Sequence, residues 1–151
     1  MEKQFFFLSL ATVLVTFFIS TRIRPLKLHH FIVGLISAAF SVIFDTFFGK
    51  YLGLYYYVSK ESSIVYMVIA GIFIYPVINM LYVMFLPDNR NSALVYTIML
   101  FVGMLIFEYL SIITRTLVFT GWKPIPWSII TYAFTFTWVY YLHRLLIQGK
   151  A

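Results

Sequence analysis

Cysteine is absent from the 151 residues, which excludes disulfides, thiolate zinc sites, iron–sulfur clusters and cysteine nucleophiles. Charge is scarce too: Asp, Glu, Lys and Arg make up 11% of the chain, five acidic residues against eleven basic ones. Soluble domains carry about 25% charged residues, so this composition does not supply a water-facing surface. The Lys and Arg are scattered through short separators and form no stripe, which argues against nucleic acid and for anionic lipid headgroups as a partner. There is no His-Glu-x-x-His, no Gly-x-Ser-x-Gly and no phosphate-binding glycine loop; no metal and no cofactor are expected. Asp45 is the one aspartate inside a long apolar run, so the paired aspartates of an intramembrane aspartyl protease are lacking. The Trp-x-Pro-Pro signature of the tryptophan-rich sensory proteins is missing as well.

What the chain does contain is apolar sequence: 62% hydrophobic and 21% aromatic residues. Five runs stand out, at residues 5–21, 31–49, 62–86, 92–119 and 127–147. A bilayer core is crossed by about 20 helical residues, and long runs without strict alternation argue for helices over a barrel. The expectation is an all-α polytopic membrane protein, a single bundle of five transmembrane helices over residues 1–151. The separators RIRPLKLHH, KYLGLYYYVSKE, PDNRN and TGWKPIPW carry the Pro, Gly, Asn, Asp and charges of turns. The N-terminal run lacks an Ala-x-Ala site and is followed by Arg22 and Arg24, so it reads as a retained first helix. The basic cluster after it favours the N-terminus outside and the C-terminus in the cytoplasm. Arg22, Arg24, Lys27, Arg90, Arg144 and Lys150 then face inward, against Lys3, Lys50, Lys60, Arg115 and Lys123 outward.

Small and hydroxyl residues recur at helical spacing: Ser9, Thr12, Thr16 and Ser20 in the first run; Gly34, Ala38, Ser41 and Asp45 in the second; Ser128, Thr131, Thr135 and Trp138 in the fifth. Lipid gives helices no hydrophobic reason to associate, so such stripes read first as packing seams and second as a polar path. Gly71 and Pro76 interrupt the third run, and Pro76 cannot donate to the carbonyl of Ile72, which predicts a bend. Tyr75, Asn79 and Tyr82 lie on one side of that helix. Tyr55, Tyr56, Tyr57, Trp122 and Trp127 fall in separators on one side of the membrane, as an interfacial belt or, more pointedly, the aromatic mouth of a pocket. His29 and His30 adjoin Lys27, point to different helix faces and read as interface residues.

Charge inside an apolar run is costly and faces a bundle interior or cavity. At about 1.5 Å per residue, Asp45 and Glu108 fall at depths that agree to within about 3 Å. Arg115 shares the face of Glu108 about 10 Å further out, with Ser111 between them. Asp45, Asn79, Glu108, Ser111 and Arg115 are therefore the candidate binding or proton site, with no catalytic residue assigned.

The segments Phe44-Asp45-Thr46, Tyr75-Pro76-Val77-Ile78-Asn79 with Tyr82, Phe107-Glu108-Tyr109-Leu110-Ser111, and Gly121-Trp122 with Ser128 and Tyr132 resemble an uncharacterised family of small integral-membrane proteins from Bacillus and Clostridium relatives. The resemblance implies a bacterial plasma or spore membrane and no particular reaction; a sporulation or germination role follows only from the hosts. Three functional readings stand open. The first is binding or passage of a small solute or proton at an outer-leaflet pocket. The second is a non-catalytic accessory subunit of a membrane complex, with a homo-oligomer or a partner membrane protein. The third is an intramembrane enzyme acting on an isoprenoid or lipid.

Overall fold

The computed structural model describes residues 1–148; Lys150, counted above on the cytoplasmic side, lies outside the described residues. Helix α1 spans Glu2–Ile23, α2 Leu28–Phe44, α3 Ser63–Ile69, α4 Tyr75–Met84, α5 Arg90–Ile113 and α6 Ile129–Gln148. Two π-helical stretches join these into longer rods: Asp45–Tyr51 prolongs α2, and Ala70–Ile74 links α3 to α4. Four resulting helices are long and apolar enough to cross a membrane, Glu2–Ile23, Leu28–Tyr51, Ser63–Met84 and Arg90–Ile113. Their outward side chains, Leu8, Phe18, Leu35, Ile43, Met99 and Ile106 among them, are exposed, as a lipid-facing surface requires. The fifth expected span, α6, has 20 residues but falls short in hydropathy, because Thr131, Thr135, Thr137, His143 and Arg144 interrupt it.

Contacts at the two ends show that the rods alternate in direction. At one end Arg24, just past α1, donates from Nη1 to the Met84 carbonyl at the end of α4 (2.8 Å). There too Arg144 of α6 donates to the Asp88 carbonyl ahead of α5 (3.1 Å). At the other end Thr116, past α5, donates from Oγ1 to the Glu2 carbonyl (2.9 Å). Asn89 caps α5 by accepting from Asn91 N–H (2.9 Å), as its short carbonyl side chain is suited to do.

Two expectations about the rods change. The fourth run does not continue as helix to Phe119: α5 stops at Ile113, Arg115 takes a positive φ of 56°, and Leu117–Phe119 forms strand β2. Strand β2 pairs antiparallel with β1, Tyr55–Tyr57, with Tyr56 opposite Val118. The separator that reads as a plain loop is thus half of a hairpin-like cap, and its pairing gives the backbone of residues 117–119 partners that a helix would otherwise supply. Ahead of Pro76, where a bend is expected, the helix widens into the π stretch Ala70–Ile74, in which Tyr75 N–H reaches five residues back to the Ala70 carbonyl. The widened turn makes room for a ring that an α-helical turn excludes.

α2 packs most extensively on α4 and the π stretch before it. Gly71 is where the backbones approach: a Cβ there would lie 2.8 Å from Val42 Cγ2 and 3.2 Å from Val42 N. Gly103, in contrast, has nothing within 4 Å. Gly71→Ala is therefore expected to destabilise the bundle by about 1–3 kcal/mol, whereas Gly103→Ala should be neutral or stabilising by up to about 1 kcal/mol. Reversible unfolding of both variants in mixed micelles checks the contrast; equal effects would remove the close contact as the cause.

The hydroxyl stripe of α1 is not its packing seam. Thr12 and Thr16 are exposed, and Thr12 Oγ1 folds back onto the Leu8 carbonyl (2.8 Å) while Ser20 alone of the four is buried. In lipid a Thr can satisfy its own hydroxyl this way, so Thr12 and Thr16 say nothing about which face is inside, whereas Ser9 lines a small internal cavity. On α2 the buried small residues are Gly34 and Ser37, with Ala38 only partly buried.

Candidate functional site

Two apolar clusters fill the bundle, one around Tyr55, Tyr57, Tyr66, Met67 and Ile74, the other around Val33, Tyr82, Met104, Phe136 and Val139. Between them lies a cavity of about 110 Å³. Its floor and walls come from α2, α4, α5 and α6, and the β1–β2 cap with Trp122 contributes Tyr55, Tyr57, Leu117 and Phe119.

Both buried carboxyls face this cavity. Asp45, 6% exposed, accepts at Oδ1 from the Tyr55 hydroxyl (2.6 Å), while its Oδ2 has no hydrogen-bond partner. Glu108, 8% exposed, accepts at Oε2 from the Tyr132 hydroxyl (2.7 Å). Tyr57 and Tyr75 share a hydroxyl–hydroxyl bond of 2.7 Å on the same wall. Asn79 also lines the cavity and donates from Nδ2 to Ser37 Oγ (3.1 Å). No Lys, Arg or His is among the lining residues. The site therefore holds two acids, four phenols and an amide with no balancing cation. Burial, and next the Asp45 carboxyl, push the Tyr55 and Tyr57 phenols far above their ordinary range, so both stay protonated.

Of the residues expected at the site, Asp45, Asn79 and Glu108 come together. Ser111 does not reach the main cavity: it lines an adjoining one of about 20 Å³ that Glu108, Tyr75 and Tyr132 also border, and its Oγ donates to the Phe107 carbonyl (2.9 Å). Arg115 is exposed in the turn before β2 and lines neither cavity. Its assignment to the face of Glu108 presumed a helix running unbroken past Ile113, where α5 ends.

The aromatic residues divide. Tyr55 and Tyr57 are buried and Trp122 partly so, and all three line the cavity. Trp122 is held by its Nε1 donating to Ser128 Oγ (3.0 Å). Tyr56 is partly exposed under Lys60, whose Nζ lies 5.8 Å from the ring, and Trp127 is 52% exposed, as interfacial residues would be. Ser128, Thr131 and Thr135, a seam by spacing, face the cavity.

Tyr132 as the partner of Glu108 has no signal in the sequence, since the two lie 24 residues apart on different helices. The histidines are the second surprise. His29 and His30 do not project to separate surfaces; both are buried, with ring centroids 4.2 Å apart, and His143 of α6 stands 5.2 Å from His29. His30 Nδ1 accepts from the Lys27 N–H (3.2 Å), which bends its ring back over the start of α2. Among the described residues no group of three or more His, Asp or Glu is arranged to hold a metal. No family model, no curated protein and no solved structure matches this chain.

Proposed function

We propose that this protein crosses the membrane with all five rods, N-terminus outside, and binds or passes a small solute or proton at the cavity between Asp45 and Glu108. The single observation that carries this reading is that both carboxyls line one cavity while Asp45 Oδ2 is left without a partner. Buried polar atoms are almost always satisfied, so a carboxyl oxygen left unpaired on a cavity wall supports a role for that cavity in taking up a donor. Ionisable groups within membrane segments are costly enough that a functional role is the default explanation. The membrane reading is supported by the four long apolar helices, and the outward orientation of the cap by the basic cluster after α1.

Because the chain has no cysteine, a single introduced thiol reports on its own site. Thr135→Cys, on the cavity wall, is expected to react with a small water-soluble methanethiosulfonate at least roughly tenfold faster than Val139→Cys, which is fully buried one turn on. Labelling from one side of oriented vesicles at a time assigns the mouth. Equal rates at the two positions would defeat the solute-site reading.

A further inference from the structure

We infer that the cavity's ligand is a small organic cation, an ammonium group carrying a compact apolar body, seated between the Asp45 and Glu108 carboxyls and the rings of Tyr55, Trp122 and Phe44. This rests on the cavity being a solute site and goes on to name the class of solute.

The lining selects by charge first. Two acids face the space and no Lys, Arg or His does, so an anion finds no cationic partner there. An apolar solute would leave Asp45 Oδ2 without a donor, and a neutral alcohol would supply the hydrogen bond but not the charge-assisted one that an ammonium supplies. A cation supplies what is missing, and an N–H of a protonated amine supplies the hydrogen bond as well.

The walls select by kind of cation. A hard metal ion takes six or more oxygen ligands for calcium and near-octahedral ligands for magnesium, whereas here most of the lining is ring and alkyl surface from Phe40, Phe44, Ile78, Met104, Phe119 and Phe136. A bare proton needs neither this volume nor these rings. Aromatic faces attract cations whose charge is spread over C–H groups, Trp most strongly, and Trp122 is held toward the cavity by its bond to Ser128. Size sets the upper bound. A cavity of about 150 Å³ admits benzene, with its six heavy atoms, so about 110 Å³ admits about four or five.

tert-Butylammonium and tert-butanol have the same shape and differ in charge, which makes them the probes. With the full-length protein in nanodiscs at neutral pH, tert-butylammonium is expected to raise the unfolding temperature saturably and tert-butanol at equal concentration to leave it unchanged. Asp45→Asn, which keeps the side-chain shape, should weaken the response at least about tenfold; Glu108→Gln, monitored for folding by size exclusion, serves as the second variant. An equal shift from tert-butanol overturns the cation assignment and leaves the solute site standing. Silence from both probes, with Thr135→Cys still labelled, likewise overturns the cation assignment alone. Silence together with an unreactive Thr135→Cys overturns the solute site too.

Discussion

Tyr82→Ala is expected to be the most destabilising single substitution in the bundle, costing about 3–5 kcal/mol in the range of large-to-small core changes. Tyr82 is 0% exposed and is the largest fully buried side chain. Its ring stacks on Tyr96 of α5 (5.8 Å, 7°) and meets Phe136 of α6 edge-on (5.1 Å), so one side chain on α4 joins three helices. In lipid this loss is mainly of van der Waals packing, which is what holds membrane helices together. The hydroxyl matters less. Thr97 Oγ1 uses its own hydrogen on the Ala93 carbonyl (2.7 Å), so Tyr82 donates to Thr97 (2.8 Å), and interhelical bonds of this sort are worth about 0.6 kcal/mol on average. Tyr82→Phe should therefore cost under about 1 kcal/mol. Unfolding by a denaturing detergent against a mild one measures both; a Phe variant as weak as the Ala variant would shift the weight from packing to the hydrogen bond.

The opposite sign is expected for the carboxyls. Combining Asp45→Asn with Glu108→Gln should stabilise the empty protein by about 1–3 kcal/mol while removing the response to tert-butylammonium. The amide at residue 45 still accepts from Tyr55, and the amide at residue 108 still accepts from Tyr132. What disappears is the cost of burying acids with no basic residue beside them, a cost of several kcal/mol per ion when the charge is uncompensated. Greater stability with lost binding is the pattern of a site that keeps unfavourable groups for a purpose. A double variant that unfolds more easily than the natural protein would mean that the carboxyls serve the fold.

Much of the architecture is legible in the chain because bilayer thickness, helical rise and hydropathy act locally. Four apolar runs become helices of spanning length, and the separators RIRPLKLHH and PDNRN become the turns. Asp45 and Glu108 could be matched in depth by counting residues, since rise per residue is the same in both helices, and they do border one cavity. Arg115 could not be placed by the same counting, because the count assumes an unbroken helix. Whether α5 continues past Ile113 depends on Leu117–Phe119 finding Tyr55–Tyr57, a pairing with residues some 60 positions earlier that no local propensity encodes.

Facing is the other thing hidden from the chain. A soluble helix declares its inner face by the apolar stripe, but here both faces are apolar, and a Thr can point to lipid while bonding its own backbone, as Thr12 does. Thr12 and Thr16 of α1 therefore misdirect, and the hydroxyls of α6 do not, for reasons visible only in the assembled bundle. Composition and rise per residue by themselves pointed to a helical chain with runs long and apolar enough to cross a membrane, and matched two acids in depth by counting. Tertiary structure alone decided that these acids share a cavity with four phenols and no cation, because the partners, Tyr55 and Tyr132, arrive from a strand and a helix whose positions depend on contacts between distant segments.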